Sequence, residues 1–386
     1  TTASAHQKTA IEWQRRSQDT LSAQQSMHNS LTNEALDIMS LMRLNGTIDA
    51  LRRASFLACA WLFLHGTHTT AADALEFDVK GLMFGDLYYL PSHHTPVGDN
   101  ASGAVLRRIF LTTDARYGDD WTGRLRFEAF HEGAFENYEL SHRIQDMGVG
   151  KKLAGHQISG GLIPTISFDL IEAFWGKRYL MRTAPDMQGI AARDLGISAK
   201  GKLSQSGKWS YRAMYGSSET WEADKNPHDK FMGAMTWRPT PGVLLDAYLD
   251  HEARPGRFDR STYQLFAAQQ TKNYSLGFVY THQDRQEDPT LELAALMGVA
   301  HFSDKIDLIA QVQRLLQPSV KGNDIAYIPF DPSATATNFV AGIEYRLSDR
   351  IFITPNIVYT HYGINPQGVR PEDDLHLRLT FFFNYE

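Results

Sequence analysis

The chain has 386 residues, of which 42% are hydrophobic and 21% charged, with a formal net charge of −6 and a single cysteine. That acidic balance argues against a nucleic-acid partner, which would call for a basic surface. Beyond the N-terminal region no stretch reaches the roughly 18 apolar residues of a membrane-crossing helix, a limit that says nothing against crossing strands, whose apolar residues alternate with polar ones.

Residues 1–41 are polar and rich in Gln and Ser, and are expected to lie upstream of the mature protein. From Met42 the text changes: Arg52-Arg53 form a basic flank, Ala54–Leu64 an apolar core, and Ala72-Asp73-Ala74 a small-residue cleavage pattern. Segment 42–74 therefore reads as a secretory signal peptide, with the mature chain, 75–386, starting near Leu75. Cys59 falls inside the signal core, so the exported part has no disulfide and needs a large hydrogen-bonded framework instead. The first 74 residues carry equal numbers of acidic and basic side chains, so the mature part keeps the full net charge of −6.

After Leu75 the dominant period is two. Leu75, Phe77, Val79, Gly81 and Met83 alternate with Glu76, Asp78 and Lys80; Trp121, Leu125 and Phe127 alternate with Arg124, Arg126 and Glu128. Stretches of about ten residues suit strands tilted across a bilayer. Short breaks (near 151–152, 205–207, 239–242, 270–273, 303–304 and 348–349) alternate with long ones (91–103, 132–139, 164–189, 218–229, 253–259, 285–289, 317–336 and 362–373). The expected fold is all-β: a transmembrane antiparallel β-barrel of about sixteen strands, with both ends on the short-turn side. The 164–189 stretch follows Gly160-Gly161, begins at Pro164 and holds Ile171, Phe174, Trp175 and Leu180, which would gain nothing in open water. It is expected to fold inward as a constriction loop. In the last strand Leu375, Leu377, Leu379, Phe381, Phe383 and Tyr385 share one face, like the targeting strand of outer-membrane barrels, although Glu386 follows the final aromatic.

Taken together, Leu106–Phe130 (LRRIFLTTDARYGDDWTGRLRFEAF), Gly160–Phe168 with its GGLIP, Arg182, and Ala192–Gly201 (ARDLGISAKG) resemble, in order and spacing, the phosphate-selective porin O and P family. The resemblance covers the first half of the mature chain; the second half agrees in pattern only. It implies a sixteen-stranded, trimeric outer-membrane porin that passes anions, phosphate or polyphosphate among them, with a loop folded into the lumen. It also implies outer-membrane lipid, lipopolysaccharide and the barrel assembly machinery as surroundings and partners. The family's members selective for phosphate carry many inward basic residues, whereas this chain is net acidic.

For an ion pathway the candidates are the lumen-register residues Arg108, Arg124, Arg126, Lys200, Arg212, Arg346 and Arg378, together with the loop cluster Lys177, Arg178 and Arg182. Fixed cations in a narrow lumen raise the local concentration of anions. The bland reading is a polar wall paired with Glu128, Asp246 or Glu344. A non-selective porin, or one for other small polar solutes, is the nearest alternative. A barrel lipase or protease is a further one, but no G-x-S-x-G occurs, and His131-Glu132 and His251-Glu252 do not extend into H-E-x-x-H. His93-His94 fall in a polar loop and read as surface residues. No enzyme activity, cofactor or metal is expected.

Overall fold

The computed structural model describes residues 74–385 except 97, 132–139, 191, 218–228 and 255. The upstream segment and nearly all of the signal peptide lie outside the described residues, as do the tips of two long loops. Sixteen strands follow in order: β1 Leu75–Ser92, β2 Ser102–Tyr117, β3 Trp121–His131, β4 Leu140–Leu153, β5 His156–Pro164, β6 Arg193–Lys202, β7 Trp209–Gly216, β8 Lys230–Trp237, β9 Val243–Glu252, β10 Arg260–Gln270, β11 Tyr274–Asp284, β12 Leu291–Ser303, β13 Ile306–Leu315, β14 Ala336–Ser348, β15 Ile351–Tyr362 and β16 Asp374–Tyr385. Each pairs antiparallel with its neighbour in sequence, and β1 pairs with β16 to close the barrel. Closure leaves no sheet edge, the condition for a sheet to sit in lipid.

The alternation resolves as expected. Leu245, Ala247 and Leu249 of β9, Ile306, Leu308 and Ala310 of β13, and Phe339, Ala341 and Ile343 of β14 point outward, while Asp246, Tyr248, Asp307, Asn338 and Glu344 are buried inside. Aromatic residues gather at the short-turn rim: Trp209 and Trp237 stack with ring centroids 5.5 Å apart, and Lys151 lies 4.7 Å over Trp121. The outward register has a direct test. Ala341→Arg should cost about 2 kcal/mol of barrel stability, because it places a guanidinium in lipid. Its lumen neighbour Gly342 is a poor comparison, since a β-carbon there would sit 3.0 Å from Asn356 Cβ. Ser159→Arg, on the open lumen wall, should be nearly neutral by urea unfolding of the refolded barrel; equal costs would contradict the register.

Two features depart from simple alternation. Gly148, Gly161, Gly196 and Gly216 form one row across β4–β7. At Gly161, with φ of +123°, a β-carbon would meet the Met147 carbonyl oxygen at 2.2 Å. Only glycine permits so close an approach of two backbones, and here the sheet crowds where β5 stops at Pro164 and the long loop departs. The second departure is on the far wall. Leu293, Ala295, Met297 and Val299 of β12, Val279 of β11, Ile309 of β13, Val340 of β14 and Val358 of β15 face inward and are buried. A water-filled lumen would line these positions with polar side chains; something apolar covers them.

Candidate functional site: a constriction between the in-folded loop and the wall

The cover is the loop 165–192. Its helix α1, Asp169–Trp175, ends on Gly176 in the left-handed region at φ 61°. A second turn, α2, Ala184–Met187, carries a proline in its first turn, where no N–H is needed. Ile171, Trp175, Leu180, Met181 and Met187 join the inward residues of β10–β15 in one buried cluster. Phe174 meets Phe266 edge to face at 5.4 Å, and Trp175 Nε1 donates to the Met181 carbonyl at 2.7 Å. Each fully buried side chain of this size contributes roughly 1.5–3 kcal/mol. Polar side chains of the wall fasten the loop backbone: Arg378 donates to the Leu180 carbonyl at 3.0 Å, Gln264 to that of Ser167 at 3.2 Å, and Arg107 to that of Tyr179. The constriction loop expected from sequence is present, with slightly later limits and a short helix, Asp169–Trp175, near its start.

The three loop cations do not act as one group. Lys177 Nζ reaches down to Glu344 at 2.7 Å and Asp307 at 3.2 Å, so it is an anchor between the loop and β13–β14. Arg346 shares the same two carboxylates, lying 3.3 Å from Glu344 and in contact with Asp307. Arg178 pairs with Asp186 at 2.7 Å and Glu172 at 2.9 Å, and Arg182 stands 4.0 Å from Asp186. Burial works against the charge of Arg178, but Asp186 and Glu172 outweigh it and hold the guanidinium above the usual arginine range. Burial, opposed by Asp186 and reinforced by Arg108 and Arg178, draws Arg182 down to about 10, which leaves it a cation at neutral pH. Burial would raise Asp186, but Arg178 and Arg182 prevail and lower it.

On the wall, Arg108 and Arg143 grip Glu128, the latter at 2.7 Å. Arg126 lies 3.4 Å from Asp146, and Arg193 of β6 bonds the same carboxylate at 2.5 Å. The remaining candidates sit elsewhere. Arg124 pairs with Asp114 at 2.6 Å and Lys200 with Asp169 at 3.8 Å, both toward the short-turn mouth. Arg212 is buried on Asp246 at 2.9 Å, and Arg378 bonds Asn356 at 2.9 Å. The pairings with Glu128, Asp246 and Glu344 weighed from sequence all occur.

Three arginines escaped the sequence reading. Arg143 and Arg193 were not singled out. Nor was Arg107, which strict alternation from Arg108 would turn to lipid; the register slips between Phe84 and Gly85, opposite Arg108 and Leu106, and this bulge turns both Arg107 and Arg108 inward. The same device turns Gln145 and Asp146 inward together. A mid-strand Arg-Arg pair is itself the signal, because strict alternation would put one of the two in lipid.

Loop and wall therefore face each other across a strip of charge. Arg108, Arg126, Arg143 and Arg193 on the wall and Arg178 and Arg182 on the loop share the carboxylates Glu128, Asp146, Glu172 and Asp186. The two signs are not equally placed. Arg126, Arg143, Arg178 and Arg182 keep 21–28% of their side-chain surface accessible, whereas none of the four carboxylates keeps more than 8%. The acids stand behind the cations. Beside this strip a hollow lined by Asp114, Arg124, Asp146, Gly148 and Ser159 runs along β2–β5.

The architecture has solved counterparts. An anion-selective porin from Comamonas acidovorans superposes with a TM-score of 0.61 at 11% identity, covering 81% of this chain and 100% of its own. The outer-membrane channel DcaP of Acinetobacter baumannii gives 0.57 at 11% identity, over 83% and 99%. The trimer form of OmpT, an outer-membrane protein of Vibrio cholerae, gives 0.56 at 12%, over 81% and 100%. At such identities the likeness is one of fold: a porin-type barrel. No family model matches the chain, and neither does any curated protein.

Proposed function

We propose that the chain is an outer-membrane porin, a diffusion channel that favours small anions over cations. The supporting observation is the unequal exposure at the constriction, where arginines meet the solute path and their carboxylate partners are withdrawn behind them. In a narrow lumen such fixed charge concentrates counter-ions and biases passage without any tight binding site. Neighbouring folds include an anion-selective porin and a trimeric barrel, which support the same reading and a trimeric state. The outward row of β16 suits recognition by the assembly machinery and contact with lipid and lipopolysaccharide. Phosphate or polyphosphate as solute rests on the family resemblance alone.

The test is the reversal potential across a planar bilayer under a potassium chloride gradient. Its sign should report chloride as the more permeant ion, and added phosphate should reduce the chloride current if both share the strip. A cation-selective or ideally unselective channel would overturn anion preference, and hydrolysis of lipid or peptide substrates by the purified barrel would favour the enzyme alternative.

A further inference from the structure

We propose that Tyr327, at the tip of the β13–β14 connection, sets the size limit for solutes at the long-loop edge of the charged strip, as the post of a second in-folded loop. The proposal rests on the channel reading above. The stretch 317–336 reads from sequence as one more long connection. In the fold the loop, 316–335, turns inward: Ile325, Ile328 and Phe330 are 2%, 3% and 0% exposed and join the buried cluster that holds the constriction loop. Connections that stay on the surface have no wall against which to bury such side chains. Ser319 Oγ donates to Gln188 Oε1 of the constriction loop at 2.8 Å, and the Asp331 N–H to Tyr362 Oη of β15 at 3.2 Å. His93 and His94, read from sequence as surface residues, are buried beside this loop; the His94 ring lies 3.2 Å from Asn323 Oδ1 and 2.9 Å from Asp374 Oδ1 of β16.

The tip of the loop reaches a distant part of the wall. Strands β15, β16 and β1 separate β14 from β2, an arc of roughly 19 Å at about 4.8 Å per strand. The loop cuts across that arc, for Tyr327 Oη lies 2.7 Å from the carbonyl oxygens of both Arg107 and His131. The β2–β3 ladder stops at the pair Arg108 and Phe130, so each carbonyl stands one residue beyond it, and the shared tyrosine proton caps the ladder. Tyr327 holds φ at 70°, a left-handed backbone uncommon for a bulky residue, which persists only where the surroundings fix it. Its ring lies under Arg107, whose Cζ is 5.6 Å from the ring centroid. Burial raises its hydroxyl above the ordinary tyrosine range, although Arg108, Arg107 and Arg182 pull the other way. At neutral pH the ring is therefore an uncharged, half-buried post among the cations at the edge of the strip. It takes up width without altering charge. A hollow of about 140 Å³, walled in part by Asp86, His376 and Arg378, borders the ring, so there is room behind it without moving a strand.

Swelling of liposomes that carry the full-length protein, in a pentose, a disaccharide and a trisaccharide, reads the size limit without involving charge. Tyr327→Gly, which suits the left-handed backbone, should speed entry of the trisaccharide relative to the pentose roughly threefold, as a wider passage would. The chloride-to-potassium permeability ratio in planar bilayers should stay as in the parent. Tyr327→Asn, also at ease in that backbone region, should do the same and carries the test where the glycine variant fails to fold. Val369→Ala, on the exposed β15–β16 connection, should leave the sugars ranked as in the parent. An unchanged size limit in the folded Tyr327 variants, or an equal gain for all three sugars, overturns the role of Tyr327 and leaves the channel reading standing. A parent barrel closed to the pentose and to salt overturns the channel reading and this role with it.

Discussion

Lys177→Met is expected to destabilise the barrel by about 3 kcal/mol, the low end of the cost of breaking a buried ion pair. Lys177 is 14% exposed and its partners Asp307 and Glu344 are wholly buried, so its removal leaves carboxylates that water cannot reach. The cost stays at the low end because Arg346 and His301 remain on Asp307, and Tyr179 remains on Glu344. Urea unfolding of the refolded protein reads the change, and single-channel recordings should show a larger and noisier conductance as the loop loosens. Adding Glu344→Gln to Lys177→Met should recover much of the loss, since Arg346 then keeps Asp307 and no carboxylate is left without a cation. If Lys177→Met lies within about 0.5 kcal/mol of the parent, the range of an ordinary surface change, the loop is held by its apolar face alone.

The paired substitution Arg178→Gln and Arg182→Gln should lower the chloride-to-potassium permeability ratio on the order of tenfold at low salt. These two arginines are the accessible cations of the loop, and without them Glu172 and Asp186 lose their charged loop partners. The strip then holds as many carboxylates as arginines, and its anion preference should fall to near parity. Salt dependence separates this from a change of pore width: the screening length is about 30 Å at 0.01 M and about 3 Å at 1 M, so the difference between parent and variant should shrink at high salt. Lys272→Gln, at an exposed short turn, should do nothing. An unchanged ratio in the paired variant would assign selectivity to the wall arginines instead.

The barrel was legible because lipid on one side and a polar lumen on the other impose a two-residue period, and because the lengths of the connections alternate. The in-folded loop was legible from its length and from Trp175 and Leu180, which had no apolar surface to meet outside. Four things were not. The inward apolar wall of β11–β15 hides in LELAALMGVA, where both faces are apolar and alternation carries no information. The role of Lys177 depends on partners more than a hundred residues away, so the three loop cations looked like one cluster when they divide into an anchor and a pair at the strip. The bulge at Arg107 breaks the period by one residue, a slip visible only as two adjacent arginines where one would be stranded in lipid. For the same reason His93-His94 looked exposed: nothing local shows that a loop leaving β1 turns back onto β16.

The loop rests on one half of the barrel and the accessible charge of the wall lies on the other half, and this division bears on how a channel of the proposed kind could change. Strands β10–β15 hold the loop by packing an apolar face against it, pinned by the buried pairs of Lys177 with Asp307 and Glu344. Strands β2–β6 present the charge, with Arg126 and Arg143 keeping 24% and 28% of their side-chain surface accessible. Relatives descended from a common ancestor could therefore retune their solute by exchanging residues on the second half while the first half drifts only among side chains of similar size. A mutational library confined to β2–β6 should yield folded channels of varied selectivity, whereas the same number of changes in β10–β15 should yield mostly unfolded protein.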